Sequence, residues 1–449
     1  MSDAAATRSP GTGPEQTAGR PSGRAGGNFV ETFRSLRRRN YRLYFYGQLT
    51  SMCGTWAQTV ALSWLVLKIS GSGTKVGLVI SVQFLPVLLF SAWGGVIADR
   101  FDNRKAVMAV QLLLGIQATL LATVVLSGVT RMWMIYCLAL VQGLGVALDT
   151  PTRQSLVSQL VAGEELSNAL SLNAGLAQLA RVVGPVIAGV LIETVGIGPC
   201  FALNAASYGV IIVLLLLMNT RELVGRDRLA ASRGQAMQGV RYALATPELR
   251  NLLAVAAVIG IFAGNFLVVL PLVAKYVFHG SAGTYSAMAA IQGLGALVGA
   301  LGVASRRHPT KLLIVAAASW LGVSLLVAAV APNLGVELLA VGTSGIASAA
   351  VGISVNASLQ IGCRPEMRGR IISLFFLITY GSNVVGGPLM GWIAQTWSAR
   401  WSLAGGAIPT LVLAVVLLVR WTGRMGESGV RQAAGAGPSL AEGATTGSQ

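Results

Sequence analysis

The sequence has few charged residues. Asp, Glu, Lys and Arg together make up 11% of 449 residues, against roughly 25% in ordinary soluble domains. Hydrophobic residues make up 54%, and they fall in runs of about twenty, the length that an α-helix needs to cross a bilayer. This combination excludes a soluble globular domain and indicates an all-α membrane protein.

Residues that carry redox, metal or nucleophilic chemistry are also scarce. The four cysteines stand singly without a CxxC pair, and the two histidines, His279 and His308, lie in separate predicted loops. We therefore expect no disulfide framework, no metal site and no cofactor. A GxxxxGK[ST] phosphate-binding loop is absent from the sequence, which excludes a nucleotide-driven pump of that kind. These absences predict that the protein is not an enzyme.

The charge that is present is basic, with a formal net charge of +17. In a soluble chain this would suggest a nucleic-acid partner, but here the basic residues lie mostly in short links between apolar runs. Of the 33 Lys and Arg residues, 27 fall on one predicted side of the membrane, five on the other, and one, Arg181, inside a span. The positive-inside bias therefore places both termini in the cytoplasm and makes the bilayer, not nucleic acid, the surrounding partner.

Apolar run lengths predict twelve spans and a tail at each end. We expect a disordered N-terminal tail over residues 1–28, a six-helix bundle over 29–218, a link with an amphipathic helix over 219–250, a second six-helix bundle over 251–420 and a disordered tail over 421–449. The predicted spans are residues 43–67, 76–97, 106–126, 133–148, 169–192, 199–218, 252–273, 284–304, 312–330, 336–355, 371–395 and 401–419.

The two predicted bundles carry related sequences. EELSNALSL leads to RVVGPVIAG in the first, and PEMRGRIISL leads to NVVGGPLMGW in the second, with the Gly-Pro pairs Gly184–Pro185 and Gly387–Pro388 at corresponding places. A parallel repeat of this size predicts two pseudo-symmetric bundles around a central cavity.

A tight turn with an acid and several basic residues, GGVIADRFDNRK, joins spans two and three over residues 94–105. Together with RSLRRRNYRLYFYGQLTSMCGTW at the start of the first span and the run DTPTRQSLVSQLVAGEELSNALSLNAGLAQLARVVGPVIAG, this turn resembles the major facilitator superfamily, in particular its drug and siderophore exporter branch of the drug:proton antiporter type. The resemblance covers residues 34–420. It implies a twelve-helix transporter that works by rocking of the two halves.

The resemblance implies a gating motif in the turn. Gly95, Asp99, Arg100 and Arg104 match the family's signature, whereas Asp102 and Asn103 replace its glycine and arginine. By resemblance Asp99 caps the start of span eleven, with Asp149 as a second acid and Arg104 or Arg153 as the linking cation. The alternative is a solvated turn that only follows the charge bias.

Span five carries a second motif, with Gly184, Pro185 and Gly189 on a face of small residues. By resemblance this face contacts span eight, and ordinary small-residue packing is the alternative. Arg181 lies on the same face. Because an unpaired guanidinium at membrane depth is costly, we expect it either to hold an anionic cargo group, to pair with an acid, or to bond backbone carbonyls.

Polar and aromatic residues within apolar spans are candidates for the cargo cavity, although each could instead bond a neighbouring helix. Besides Arg181, they are Gln178, Gln58, Trp56, Gln142, Asn265, Gln292, Asn356, Tyr380 and Asn383. Glu193 and Glu337, near the predicted outer face, are candidates for proton coupling, with solvated helix ends as the alternative.

The sequence as a whole predicts a monomeric, multi-pass transporter of the bacterial plasma membrane. We expect it to export a small amphipathic cargo, such as a drug, a siderophore or another secondary metabolite, by proton antiport. An uptake symporter and a transport-inactive sensor or partner protein are the alternatives.

Overall fold

A computed structural model describes residues 33–100, 102–161, 165–222, 235–306 and 310–435, and the side chains of all of these except 91–100, 235–236 and 421–435. Within these ranges the regular structure is helical, without strands. The α-helices are α1 (Arg39–Ser70), α2 (Gly73–Arg100), α3 (Asn103–Leu126), α4 (Met132–Leu160), α5 (Glu165–Thr194), α6 (Gly198–Leu216), α7 (Gln235–Ala245), α8 (Pro247–Val258), α9 (Phe266–Tyr276), α10 (Ala282–Ala304), α11 (Lys311–Ala329), α12 (Leu334–Gly362), α13 (Arg368–Thr396) and α14 (Ala399–Gly435).

Eleven of the described helices are long and apolar enough to cross a membrane. One of these, the seventh span, is interrupted: α8 and α9 are joined by a π-helical turn, Ile259–Ala263. The helix α1 adds a twelfth crossing with 32 residues, and it is more polar because it carries Gln48 and Gln58 in its buried face. The prediction of twelve membrane helices in two six-helix bundles is confirmed.

Several helices run past the predicted spans. For example, α12 extends from Leu334 to Gly362, and α14 continues to Gly435, beyond the predicted end of the second bundle at residue 420. Apolar composition marks only the part of a helix inside hydrocarbon, whereas backbone hydrogen bonding continues into the polar surroundings. The link helix α7 packs against the start of α13, where Arg370 Nη1 donates to Gln238 Oε1 at 2.8 Å.

The two halves repeat one packing pattern. In the first half α2 packs on α4, α3 on α4 and α6, and α1 on α5 and α6. In the second half α10 packs on α12, α11 on α12 and α14, and the seventh span on α13 and α14. Individual close contacts repeat as well. Gly143 faces the Gln83 carbonyl in the first half, and Gly345 faces the Gln292 carbonyl in the second. The structure therefore has the pseudo-symmetry that the repeated sequence predicts.

The two most extensive contacts between the halves are those of α2 with α13 and of α5 with α10. We call the end of the bundle where α1 ends and α2 begins the contact end, and the end where α2 ends and α3 begins the basic end. At the contact end α2 and α13 touch backbone to backbone, since a Cβ on Gly73 would lie 2.7 Å from the Gly391 carbonyl oxygen. Small residues permit this close approach between membrane helices.

Hydrogen bonds reinforce the contact end. Ser72 Oγ donates to Gln395 Oε1 at 2.6 Å, and Tyr276 Oη donates to the Gly71 carbonyl at 2.8 Å. Ser81 Oγ donates to the Val384 carbonyl at 2.6 Å, further along α2. Within the described side chains, the hydrogen bonds between the halves are thus confined to the contact end and the middle of the helices.

Candidate functional site

A cation and an aromatic ring face each other halfway along α1 and α5. The guanidinium carbon of Arg181 lies 5.1 Å from the centre of the Trp56 ring, within the range of a cation–π interaction. Gly184, one turn after Arg181, allows the approach, because a Cβ there would overlap Trp56 and lie 3.0 Å from the Ala57 nitrogen. The packing of α1 on α5 therefore fixes the tryptophan beside the arginine.

Aromatic rings from both halves continue this site. The Phe84 ring on α2 and the Tyr380 ring on α13 have centres 5.9 Å apart and planes within 20°. Phe376, one turn before Tyr380, stacks on it at 6.3 Å. Tyr380 also lies near enough to Arg181 for the two groups to influence each other electrostatically. We call Trp56, Phe84, Arg181, Phe376 and Tyr380 the central cluster; it joins α1, α2 and α5 of one half to α13 of the other.

The central cluster is accessible. The Arg181 side chain is exposed, and Trp56, Phe84 and Tyr380 are only half-buried. The Arg181 carbonyl marks a close contact between the halves, since a Cβ on Gly293 of α10 would lie 2.6 Å from it. Two turns further toward the basic end, on the same face of α5, Ala174 is exposed. The exposed side chain of Arg181 thus lies beside the contact between α5 and α10.

The predicted second acid, Asp149, lies in a buried polar network of the first half. It forms an ion pair with Arg153, one turn along α4, and accepts a hydrogen bond from Gln111 Nε2 at 2.8 Å. With its amide oxygen turned toward Arg153, Gln48 of α1 accepts from the same guanidinium. Of the two cations predicted to link this acid, the structure thus places Arg153 beside Asp149.

Arg104 has a different partner. Its Nε donates to the Leu215 carbonyl at 2.7 Å and its Nη2 to the Leu216 carbonyl at 3.1 Å, at the carboxyl end of α6. Asp102 caps α3 by accepting from the backbone nitrogens of Arg104 and Lys105. An Asp directly before a helix is a favoured N-cap, and this signal explains a residue that departs from the family motif.

The remaining residues of the predicted gating motif fall outside the described side chains. The backbone of α2 is helical through Gly95, Asp99 and Arg100, but their side chains are among residues 91–100. The capping role of Asp99 stays a prediction.

The small face of α5 is divided between two neighbours. Gly184 packs against α1, as above, whereas a Cβ on Gly189 would lie 2.7 Å from Ser286 Cβ of α10, the eighth span. Pro185 lies within α5 and is buried. The contact with span eight that the resemblance implies is therefore made by Gly189, four residues beyond Pro185 on the helix.

The two acids predicted to couple protons lie near the contact end in unlike surroundings. Glu193 is exposed and accepts a hydrogen bond from the Gly283 backbone nitrogen at 2.7 Å. Glu337 is 0% exposed, and both of its carboxylate oxygens lack a hydrogen-bond partner among the described residues. Arg400 exerts an electrostatic influence on Glu337 and donates to the Ala331 carbonyl at 3.1 Å.

Most of the other predicted cavity residues bond within their own half. Gln58 is buried, with Gln117 and Asn204 as partners at 3.2 and 2.9 Å. Asn265 donates to the Ile261 carbonyl at 2.7 Å, where the seventh span is interrupted.

Two more of these residues bond along their own helices: Asn356 accepts from Gln360, and Asn383 donates to the Thr379 carbonyl. Gln142 is buried, and Gln178 and Gln292 are half-buried. The structure thus brings Arg181, Trp56 and Tyr380 together and leaves the others outside the central cluster.

Two members of the cluster, Phe84 and Phe376, are not predicted from the sequence. The spacing of Phe376 and Tyr380, one turn apart on α13, is a signal that could have indicated an aromatic face. Phe84 offers no comparable signal, because a single phenylalanine in an apolar span is ordinary.

Twelve membrane helices, a six-helix repeat and a polar site at the junction of the halves define a secondary transporter of the major facilitator fold. A solved POT family transporter in complex with a thioalcohol-conjugated peptide superposes with a TM-score of 0.71 at 12% identity, covering 86% of this chain and 98% of that one. The family model described as "Transmembrane secretion effector" matches residues 30–440. The chain belongs to this family.

Two curated relatives cover most of both chains. The multidrug efflux pump Tap of Mycolicibacterium fortuitum is 25% identical, over 83% of this chain and 94% of its own length. The enterobactin exporter EntS of Shigella flexneri is 26% identical, over 84% of this chain and 91% of its own length. The chain is similar to both along almost the whole transporter.

Proposed function

We propose that the chain exports small amphipathic molecules from the cytoplasm across a bacterial plasma membrane. The observation that carries this proposal is the central cluster, placed between two halves that are joined at the contact end. Its similarity to a multidrug pump and an enterobactin exporter supports the outward direction. Both walls of the site come from one chain, which supports a transporter that works as a monomer.

Alternating access follows from the way the halves are joined. The site is formed by side chains of α1, α2, α5 and α13, so a rocking of one half against the other would separate its members. For the halves to approach each other at the basic end, the contacts of α2 with α13 and of α5 with α10 would have to loosen at the contact end. This motion is the rigid-body rocking about a midplane site that repeated bundles permit.

The orientation is part of the proposal. The excess of Lys and Arg at the basic end, 27 against five with Arg181 inside a span, favours that end in the cytoplasm. Cargo would then load from the cytoplasm into the conformation seen here. Fluorescent-protein fusions to each terminus, which mature only in the cytoplasm, should both fluoresce, and a dark fusion would contradict this orientation.

We propose protons as the coupling ion, with Glu337 as the carrier. A buried carboxyl group without a hydrogen-bond partner is costly to ionise, so Glu337 would take up a proton from the outside while the contact end is open and carry it into this conformation. It would release the proton toward the cytoplasm before the loaded protein opens outward again. Arg400 nearby would favour the ionised form at that point. Glu193, which bonds the other half directly, would respond to protonation by releasing Gly283.

Everted vesicles from bacteria with and without the chain test the function. Erythromycin, enterobactin and ethidium, offered outside the vesicles with and without an inward-acid pH gradient, cover three kinds of cargo. We expect at least one to accumulate in a gradient-dependent way only in vesicles that hold the chain. Equal levels for all three would argue against export, and accumulation in right-side-out vesicles instead would indicate uptake.

A further inference from the structure

Arg181 places a fixed positive charge halfway along α5, and no acid with a described side chain pairs with it. Within the described side chains, the ion pairs are those of Arg34 and Arg38 with Glu165, Arg153 with Asp149 and Lys311 with Glu248, and none includes Arg181. Of the α-helical acids whose side chains the structure describes, the two outside these ion pairs, Glu193 and Glu337, lie near the contact end. An uncompensated cation at this depth is costly, and such residues mark ligand sites.

The surroundings of Arg181 leave its hydrogen-bonding groups available. Trp56 covers the guanidinium with a ring face, and a ring face uses no N–H donor. The planar fork of N–H groups on an arginine matches the two oxygens of a carboxylate. Because the side chain is exposed and no acid with a described side chain pairs with it, an anionic group on the cargo would complete this pair.

The aromatic members of the cluster select the shape of the rest of the cargo. The ring planes of Phe84 and Phe376 each lie within 20° of the ring plane of Tyr380. The three rings therefore present flat apolar surface beside the charge of Arg181. Offset or edge-on packing of a planar ring on such surfaces adds about 0.5–1.5 kcal/mol beyond burial. Phe84 belongs to one half and Tyr380 to the other, so a ring packed there would contact both halves.

We propose that the central cluster binds planar aromatic anions, with the anionic group on Arg181 and the ring against Trp56, Phe84 and Tyr380. The proposal rests on the proposed function and specifies its cargo class. A cation of the same shape would be repelled by Arg181, and a neutral analogue would leave the guanidinium unpaired. Discrimination by charge among molecules of one shape is therefore the property to measure.

Three probes with one ring system provide the test: 2-naphthoate, 2-naphthamide and 2-naphthylmethylammonium. Calorimetric titration uses the full chain in nanodiscs of zwitterionic lipid, with empty nanodiscs to subtract partitioning. We expect 2-naphthoate to bind at least tenfold more tightly than the amide, and the ammonium probe more weakly than both. In Arg181→Gln the carboxylate should fall to the affinity of the amide, while the amide itself changes less than twofold.

Variants separate charge recognition from folding. Arg181→Lys keeps the charge and should keep part of the preference for 2-naphthoate, whereas Lys75→Gln removes an exposed cation at the contact end and should change nothing. Trp56→Phe should weaken all three probes together. Equal binding of the three probes by the wild type, undetectable binding of 2-naphthoate, or a preference that survives in Arg181→Gln would each overturn the proposal.

Failure of this inference can be told from failure of the proposed function. If the chain exports a compound in everted vesicles but binds 2-naphthoate and 2-naphthamide equally, the proposed export is supported and the anion site is contradicted. If 2-naphthoate binds with the expected charge preference and none of the three compounds of the vesicle assay is transported, the anion site is supported and the proposed export is contradicted.

Discussion

The carboxylate of Glu193, at the end of α5, accepts a hydrogen bond from the backbone nitrogen of Gly283, in the first turn of α10, at 2.7 Å. An anion at a helix N-terminus is favoured by the unpaired N–H groups and by the helix dipole. Here the anion belongs to one half and the helix to the other, so this bond must break when the halves separate at the contact end.

We therefore predict that Glu193→Ala favours the conformation separated at the contact end. A lost hydrogen bond to a carboxylate at an exposed position is worth about 1 kcal/mol, which changes the ratio of conformations about fivefold. Spin labels at Val195 and Val330, exposed residues of opposite halves, report the separation by pulsed electron resonance. Glu248→Ala, at an exposed acid far from this contact, serves as the control, and an unchanged distance distribution in Glu193→Ala would contradict the prediction.

A glycine at the contact end gives a second prediction. A Cβ on Gly77 would overlap the Gly387 carbonyl and lie 2.7 Å from the Pro388 nitrogen, and backbone atoms cannot move aside as a flexible side chain can. We expect Gly77→Ala to prevent closure at the contact end and to lower transport at least tenfold while expression stays near wild type.

Gly209→Ala is the matched control for Gly77→Ala. It adds the same methyl group to a membrane helix, but nothing lies within 4 Å of its Cβ position. Both substitutions raise helix propensity equally, so a difference between them reports the contact alone. Transport should stay within about twofold of wild type in this control; equal transport by the two variants would remove the role assigned to Gly77.

The sequence allows the fold to be predicted almost completely, because each bilayer crossing requires an apolar run of known length and the repeat shows how the runs are grouped. The sequence also indicates Arg181 as a site residue, since burying an unpaired cation in an apolar span is costly and such residues usually have a function. The run lengths and the repeat do not show which faces of the helices pack together. Gln58 and Trp56 are two residues apart on α1, yet Gln58 bonds inside its half and Trp56 faces Arg181.

The gating motif shows the same limit of sequence-based prediction. From the sequence, Arg104 and Arg153 are equivalent partners for Asp149, because both follow helix ends at the basic side. The structure distinguishes them by rotation: Arg153 is one turn from Asp149 on α4, and Arg104 reaches the open carbonyls of α6. Helix ends attract arginine through unpaired carbonyl groups, an interaction that a motif comparison does not reveal.

The pair of Asp149 and Arg153 gives a third prediction. Both side chains are largely buried, with exposed fractions of 9% and 15%. Removing one partner leaves an uncompensated buried charge, which costs about 3–5 kcal/mol. We expect Arg153→Gln to lower the midpoint of thermal unfolding by roughly 10 °C, and Asp149→Asn to do the same, as measured by tryptophan fluorescence in detergent.

The double variant Asp149→Asn/Arg153→Gln distinguishes a charge effect from a packing effect. It removes both charges, so its midpoint should recover part of the loss. The exposed pair of Lys311 and Glu248, with side chains 59% and 54% exposed, provides the comparison: Glu248→Gln should change the midpoint little, because exposed ion pairs contribute about 0–1 kcal/mol. A double variant less stable than either single variant would contradict the charge explanation.

The buried carboxyl group of Glu337 gives the fourth prediction, for proton coupling. Glu337→Gln keeps the shape of the neutral side chain but cannot release a proton, so accumulation driven by a pH gradient in everted vesicles should fall at least tenfold. Exchange of the same compound across the membrane without a gradient needs no proton release and should stay within about threefold. A purely structural role would lower both rates together, and full gradient-driven accumulation in Glu337→Gln would exclude this residue as the proton carrier. Glu248→Gln, at an exposed acid, should leave both rates unchanged.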